Sequence, residues 1–163
     1  MPIAQTLINY LQDRGVEYEL VEHAHTETAK DSARSSYLPA HQVAKAIVLK
    51  DASGYVLSVI PANRTLEIGW VNDELGRDLA IAREKDFKDL FEDCESGAIP
   101  ALGDAYGMKV IWDDDLEYTA DVYIEAGDHE HLIWLERREF KNLMVSLPHT
   151  IISKDKEVGF WKY

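Results

Sequence analysis

Apolar and polar positions follow two periods along this chain, and the switches between them mark out its elements. Ile3, Leu7, Ile8 and Leu11 recur at helical spacing, and Asp13-Arg14-Gly15 supplies a stop, so a short amphipathic helix opens the chain. Residues 16–21 alternate apolar with acidic side chains, the pattern of a half-buried strand. Residues 28–37 read as a second helix with a Thr or Ser cap, ended by Pro39. Two apolar runs, 44–50 and 55–60, flank Asp51-Ala52-Ser53-Gly54, a β-hairpin signal. Residues 66–77 have helical spacing, 79–82 suit a short strand, and 85–91 form another amphipathic helix. Beyond a loop over 94–103, strands fit 109–112, 120–125 and 131–135, and a helix fits 138–144.

Strands and helices interleave without repeats or linkers, and hairpins are too frequent for a doubly wound parallel sheet. The order predicts an α+β domain, a mixed sheet with helices packed around it. Its 163 residues suit one domain. Residues 1–144 form the domain proper and 145–163 a C-terminal extension of it. That tail ends in Phe160-Trp161-Lys162-Tyr163 and is either a strand or an adhering segment. No apolar run approaches the ~20 residues that span a bilayer, and nothing resembles a secretory signal. The single cysteine, Cys94, excludes an internal disulfide and a thiolate zinc cage. The expectation is a cytoplasmic protein.

Charge changes this picture. Against 17 Lys+Arg stand 30 Asp+Glu, a net −13, which argues against a general nucleic-acid coat or a binder of acidic membranes. The excess is uneven. Residues 32–50 contain no carboxylate but include Arg34, Lys45 and Lys50, so an anionic partner is expected to approach there.

Within that stretch Lys45 begins the apolar run Ala46-Ile47-Val48-Leu49. Its ammonium either holds a phosphate or carbonyl as a point charge or snorkels to water from a strand end. The loop Gly97-Ala98-Ile99-Pro100-Ala101-Leu102-Gly103 is the second feature. Two glycines and a proline allow a path that offers backbone N–H or C=O groups to a ligand. Its spacing fits neither a dinucleotide fingerprint nor a P-loop. His23/His25 and His129/His131 each share a face if extended, and Asp113-Asp114-Asp115 could add oxygen ligands to a metal; polar loop ends and a solvated turn account for the same residues. Cys94 lies between Asp93 and Glu95, which disfavour its thiolate, so a protein nucleophile is not expected.

Four segments, in order, resemble the YbaK/EbsC family, whose domain also occurs as an editing insertion in some bacterial prolyl-tRNA synthetases. They are Val43-Ala44-Lys45-Ala46-Ile47-Val48-Leu49, the hairpin leading into Ser58-Val59-Ile60-Pro61, the Gly97–Gly103 loop, and Val122-Tyr123-Ile124-Glu125-Ala126-Gly127. The resemblance covers roughly residues 5–144. It implies a mixed α+β fold around a barrel-like sheet, and an aminoacyl-tRNA deacylase acting in trans. Such an enzyme hydrolyses the ester joining a wrong amino acid to the terminal ribose, by attack of water or a ribose hydroxyl. Members of this kind typically clear Ala or Cys from tRNA for proline.

The same resemblance implies that Lys45 anchors the terminal nucleotide while backbone groups at Gly97 and Ala98 orient the attacking water and the substrate amine. Val21, His23, Thr26, Ala46, Ile99 and Glu125 would line the amino-acid pocket or its rim, with His129 as a further contact. No cofactor and no metal are implied. The implied partner is the 3′ end of a mischarged tRNA, with an aminoacyl-tRNA synthetase a candidate to deliver it; DNA and membranes are not. The family often has proline where this chain has Ala101, and a polar residue where it has Ala46. These departures keep open a non-catalytic module of the same fold that binds tRNA ends, nucleotides or a protein. The net charge excludes a broad salt-driven grip on RNA but not a pocket for a 3′ end.

Overall fold

The opening helix forms where its spacing requires. In the computed structural model, which describes residues 2–26 and 28–156, α1 (Gln5–Asp13) buries Leu7, Tyr10 and Leu11. Ala4 gives α1 no side-chain cap. Its first turn is satisfied from far along the chain: Thr6 N–H donates to Asp93 Oδ2 at 2.8 Å, and Ala4 N–H to the Ala126 carbonyl at 2.8 Å. Strand β1 (Glu19–Glu22) starts later than the alternation from Val16 suggests, because Val16 N–H is taken by the Leu11 carbonyl that closes α1. Helix α2 (Ala29–Ser35) is capped by Thr28, whose hydroxyl accepts from Asp31 N–H at 3.0 Å.

The hairpin β2 (Val43–Asp51) and β3 (Gly54–Pro61) forms as expected. The helix expected over 66–77 is shorter, with strand β4 (Arg64–Leu66) before α3 (Ile68–Leu75), which stops at Gly76 with φ +63°. After β5 (Ala80–Ile81), the 85–91 helix is one α-turn, α4 (Glu84–Phe87), continued as a 3-10 turn. Strands β6 (Lys109–Asp113), β7 (Asp121–Glu125) and β8 (His131–Glu136), then helix α5 (Arg137–Met144), fall in their expected places.

The tail contributes two strands, β9 (His149–Thr150) beside β6 and β10 (Ser153–Asp155) beside β4. Buried Asp113 fastens this segment, accepting from Ile152 N–H at 2.9 Å and Ser153 Oγ at 2.6 Å, so the Asp run is not simply a solvated turn. The terminal group 160–163 lies outside the described residues.

The main sheet runs β1-β8-β7-β2-β3-β6-β9, with β5 also on β2; β4 and β10 form a separate pair. It is mixed, as the α+β reading requires. An antiparallel part (β1, β8, β7) meets the β2–β3 hairpin and its parallel neighbours β6 and β9 through one parallel contact, Val43↔Tyr123 and Ala44↔Ile124. Both faces are covered. Ala44 and Val48 enter the main core with Leu7 and Leu11 of α1 and Phe140 of α5, whereas Val43 packs with Ala29 and Ala33 of α2. Trp112 meets Phe140 edge-on with centroids 5.9 Å apart and donates from its indole N–H to the Met144 carbonyl at 2.8 Å. Among the described residues no helix is long and apolar enough to cross a membrane.

One close approach tests this packing. A Cβ at buried Gly103 would lie 2.8 Å from Leu57 Cδ2 and from Val110 Cγ2. Gly103→Ala is expected to lose ~1–3 kcal/mol in urea unfolding with an unchanged circular dichroism spectrum. Undiminished stability would show that these two side chains can give way.

Candidate functional site

Strand alternation puts Lys45 on the face of β2 that carries Val43, beneath α2. Lys45 and Glu125 each follow the Ala44↔Ile124 pair by one residue, so they lie side by side on that face, on strands ~4.8 Å apart. Among the described residues, the Lys45 ammonium has no ion pair and no hydrogen bond. Burial holds its pKa below the ordinary lysine value, and Lys156 adds a like-charge push in the same direction. Lys156 arrives through the tail: Asp155 pairs with Arg64, and the preceding turn is tied to β2 by Ala62 N–H donating to the Val43 carbonyl at 2.8 Å.

The stretch 32–50 lacks carboxylates in sequence but not in space, because β7 brings Glu125 to it. Glu125 is 4% exposed. Ser32 Oγ on α2 donates to its Oε1 at 2.8 Å, and the Thr26 hydroxyl supports Ser32 at 2.7 Å. Its Oε2 has no hydrogen-bond partner among the described residues. Burial pushes the Glu125 pKa up to about 7; the Ser32 hydrogen bond and the charge of His129 oppose the rise, and Asp128 adds to it.

Residues 23–26 run beside the turn after β7. His23 N–H donates to the Glu130 carbonyl at 2.8 Å, and Thr26 N–H to the His129 carbonyl at 3.1 Å. The turn places His129 at φ +61°, which breaks strand alternation and separates His129 from His131. His129 Nε2 donates to the Ser96 carbonyl, tying this cluster to the Gly97 loop, and its ring lies 5.2 Å from that of His25. His131 instead bonds Asp128 Oδ2 through Nδ1 at 2.6 Å. His23 is buried; its Nδ1 donates to the Ala24 carbonyl at 2.6 Å, which leaves Nε2 as an acceptor with no partner among the described residues.

The glycine loop differs from expectation in one respect. Gly97, at φ +81°, donates its N–H to Glu84 Oε1 at 2.9 Å, and Ala98 N–H goes to the Glu95 carbonyl at 3.0 Å. Both N–H groups therefore have internal acceptors. At these two positions the backbone group left for a ligand is carbonyl oxygen, suited to a water or an amine.

Thr26, Glu125, His129 and the Gly97 loop thus form one connected cluster, with His23 on the adjoining segment and Lys45 beside Glu125. Ala46 and Ile99 pack against the main core on the opposite face of β2, and Val21 pairs with Leu132, half-buried on β1. Sequence reasoning missed Ser32, which entered only as the start of the carboxylate-free stretch, and Glu84, which carried no signal at all.

Cys94 is held protonated, its thiol pushed up to about 12 by burial foremost and by Asp93; the hydrogen bond with Tyr106 opposes this. Of metal-ligating types, Asp114, Glu117 and His149 bring ligand atoms within 4.8 Å of one another. Asp114 is already bonded to His149 at 2.6 Å and Glu117 to Lys141 at 2.8 Å, so these charges are compensated within the protein.

Residues 23–143 match the aminoacyl-tRNA editing domain. No curated protein matches the chain in sequence. Among solved structures, a proposed trans-editing enzyme for prolyl-tRNA synthetase superposes with a TM-score of 0.81 at 22% identity, over 96% of this chain and 99% of the other. A scaffold used for computational epitope grafting gives 0.81 at 20% identity, over 96% and 99%. A proposed signal-transduction protein from Marinobacter aquaeolei VT8 gives 0.75 at 17% identity, over 95% of this chain but only 31% of its own length. At these identities the likeness is one of fold.

The buried carboxylate makes stability depend on pH. Folded Glu125 keeps its proton up to about pH 7, against an ordinary 4.5 when unfolded. Between these values the folded state binds more protons, so stability falls as pH rises through the window and levels off above it. Among the described residues, the charged groups that act on Glu125 are His129 and Asp128 on the turn, with Lys45 one strand away on β2. Glu125→Gln cannot ionise. Its stability relative to the parent is expected to rise by about 3 kcal/mol between pH 4 and pH 8, read from urea midpoints. A difference that does not vary with pH would refute the raised pKa.

Proposed function

Because the chain belongs to the aminoacyl-tRNA editing domain family, we propose that it is a trans-acting deacylase of mischarged aminoacyl-tRNA. The observation that carries this reading is the juxtaposition of Lys45 with the Glu125 cluster and the Gly97 loop, all inside the matched residues. An aminoacyl ester is already activated, so hydrolysis needs placement of a nucleophile and stabilisation of developing charge rather than a protein nucleophile. That suits a site whose cysteine is held protonated.

In this reading the Lys45 ammonium, without a counter-ion among the described residues, takes the terminal phosphate or the ester oxygen that becomes negative. A carbonyl of the Gly97–Ala98 loop accepts a hydrogen bond from the attacking water. The water oxygen bonds to the acyl carbon and the bond from that carbon to the ribose oxygen breaks. The departing oxygen takes up a proton, releasing the free amino acid and tRNA with its terminal hydroxyl restored. With a ribose hydroxyl as nucleophile the acyl group shifts within the ribose before water completes the cleavage. Thr26, His23 and His129 border the amino-acid side. The tRNA is held by its 3′ end, in keeping with the net charge of −13.

Lys45→Ala is expected to lower kcat/KM on a panel of mischarged tRNAs at least ~100-fold, the scale of a lost transition-state contact. Its melting temperature should equal or exceed the parent's, since a partly desolvated ammonium is removed. Full activity in a folded Lys45→Ala protein would sink the role given to this lysine. Binding of the panel without turnover by the parent would favour a binding module.

A further inference from the structure

We propose that Glu125 Oε2 is a binding site for a primary ammonium group, the α-ammonium of the aminoacyl moiety. This rests on the deacylase reading and assigns the amine to a side chain rather than to the backbone of the Gly97 loop.

Glu125 carries an unsatisfied buried atom. Buried polar groups in folded proteins are almost always hydrogen-bonded, and a buried carboxylate oxygen without a donor is costly. Glu125 is 4% exposed, yet the hydroxyl relay from Thr26 through Ser32 reaches only Oε1. Oε2 is left without a donor among the described residues. The arrangement orients the carboxylate while leaving one buried oxygen unbonded. A structural carboxylate would be expected to have donors on both, as Asp113 does on the other side of the sheet joint, with Asp115 N–H on Oδ1 and Ile152 N–H and Ser153 Oγ on Oδ2.

The surroundings select the kind of donor. The second buried atom without a partner in this region, His23 Nε2, is also an acceptor, because its Nδ1 donates to the Ala24 carbonyl. The nearby loop presents carbonyl oxygens, its N–H groups at Gly97 and Ala98 being occupied. A region with unpaired acceptors at Glu125 and His23 fits a ligand that carries several donors and a positive charge. An alkylammonium has three N–H donors.

Lys45 supplies the other pole. It stands beside Glu125 on the same face, its ammonium without an internal counter-ion among the described residues. An α-aminoacyl ester has matching polarity: a cationic amine one carbon from the ester, and an anionic phosphate beyond the ribose. With the amine on Glu125 and the ester or phosphate on Lys45, the acyl carbon is fixed between two adjacent strands.

Two non-hydrolysable probes test this, 3′-alanylamido-adenosine and its isosteric lactyl counterpart, in which hydroxyl replaces the amine. Calorimetry on the parent is expected to show the amine probe binding about tenfold or more tightly than the hydroxyl probe, as for a charge-assisted hydrogen bond. Glu125→Gln should reduce that ratio to near one by weakening the amine probe alone. Ser32→Ala, which removes the donor on Oε1 but keeps the carboxylate, should preserve the preference. Equal binding of the two probes by the parent, or an undiminished preference in Glu125→Gln, overturns the assignment. The parent comparison needs no variant to fold. Turnover of mischarged tRNA is scored separately: its absence refutes the deacylase reading, while the probe ratio still decides the ammonium site.

Discussion

Two residue pairs hold the halves of this sheet together, and the candidate site exists because of their register. Val43↔Tyr123 and Ala44↔Ile124 are the paired residues between the antiparallel part and the hairpin part. A slip of one residue would turn Lys45 and Glu125 to opposite faces, since strand side chains alternate with period two. The register is guarded on both sides. Val43 and Tyr123 pack under α2 with Ala29, Ala33 and Ala62, while Ala44 and Ile124 lie in the main core. A slip would exchange these apolar sets for Lys45 and Glu125 and bury charge in their place.

The same burial acts on both neighbours and gives the site its character. A close ion pair would raise the lysine pKa and lower that of the carboxylate. Here the shifts run the other way: Lys45 is pushed down and Glu125 up, each by desolvation first. Each group is therefore biased towards its neutral form until something of opposite charge reaches it. Adjacent in the sheet, they do not neutralise each other.

Much of the fold was legible in the sequence because its signals are local. The hairpin around Asp51-Ala52-Ser53-Gly54, the Thr28 cap and the periodicity of α1 all form where their residues predict. Errors arose where a distant contact decides. The 66–77 pattern gives way to β4 and a shorter α3 because β10, nearly ninety residues on, pairs with Arg64–Leu66. At the site, Lys45, Glu125, His129 and Gly97 were named by resemblance, and their linkage is tertiary. Ser32 could not be ranked from spacing, because its value comes from facing a strand 93 positions away. For Cys94 the sequence identified acidic neighbours, but burial, a property of the fold, is the larger cause.

The borrowed partners of α1 have a consequence for how the molecule is assembled. During synthesis this helix leaves the ribosome before the residues that satisfy it, since its leading N–H groups find their acceptors at Asp93 and Ala126. Those residues flank the Gly97 loop and the end of β7, so the helix start and the site are completed by the same late contacts. Non-local closure of this kind is slow relative to helix formation. A growing chain therefore carries a finished hairpin long before it carries a finished site, which waits for Glu125 and His129 to be made and docked.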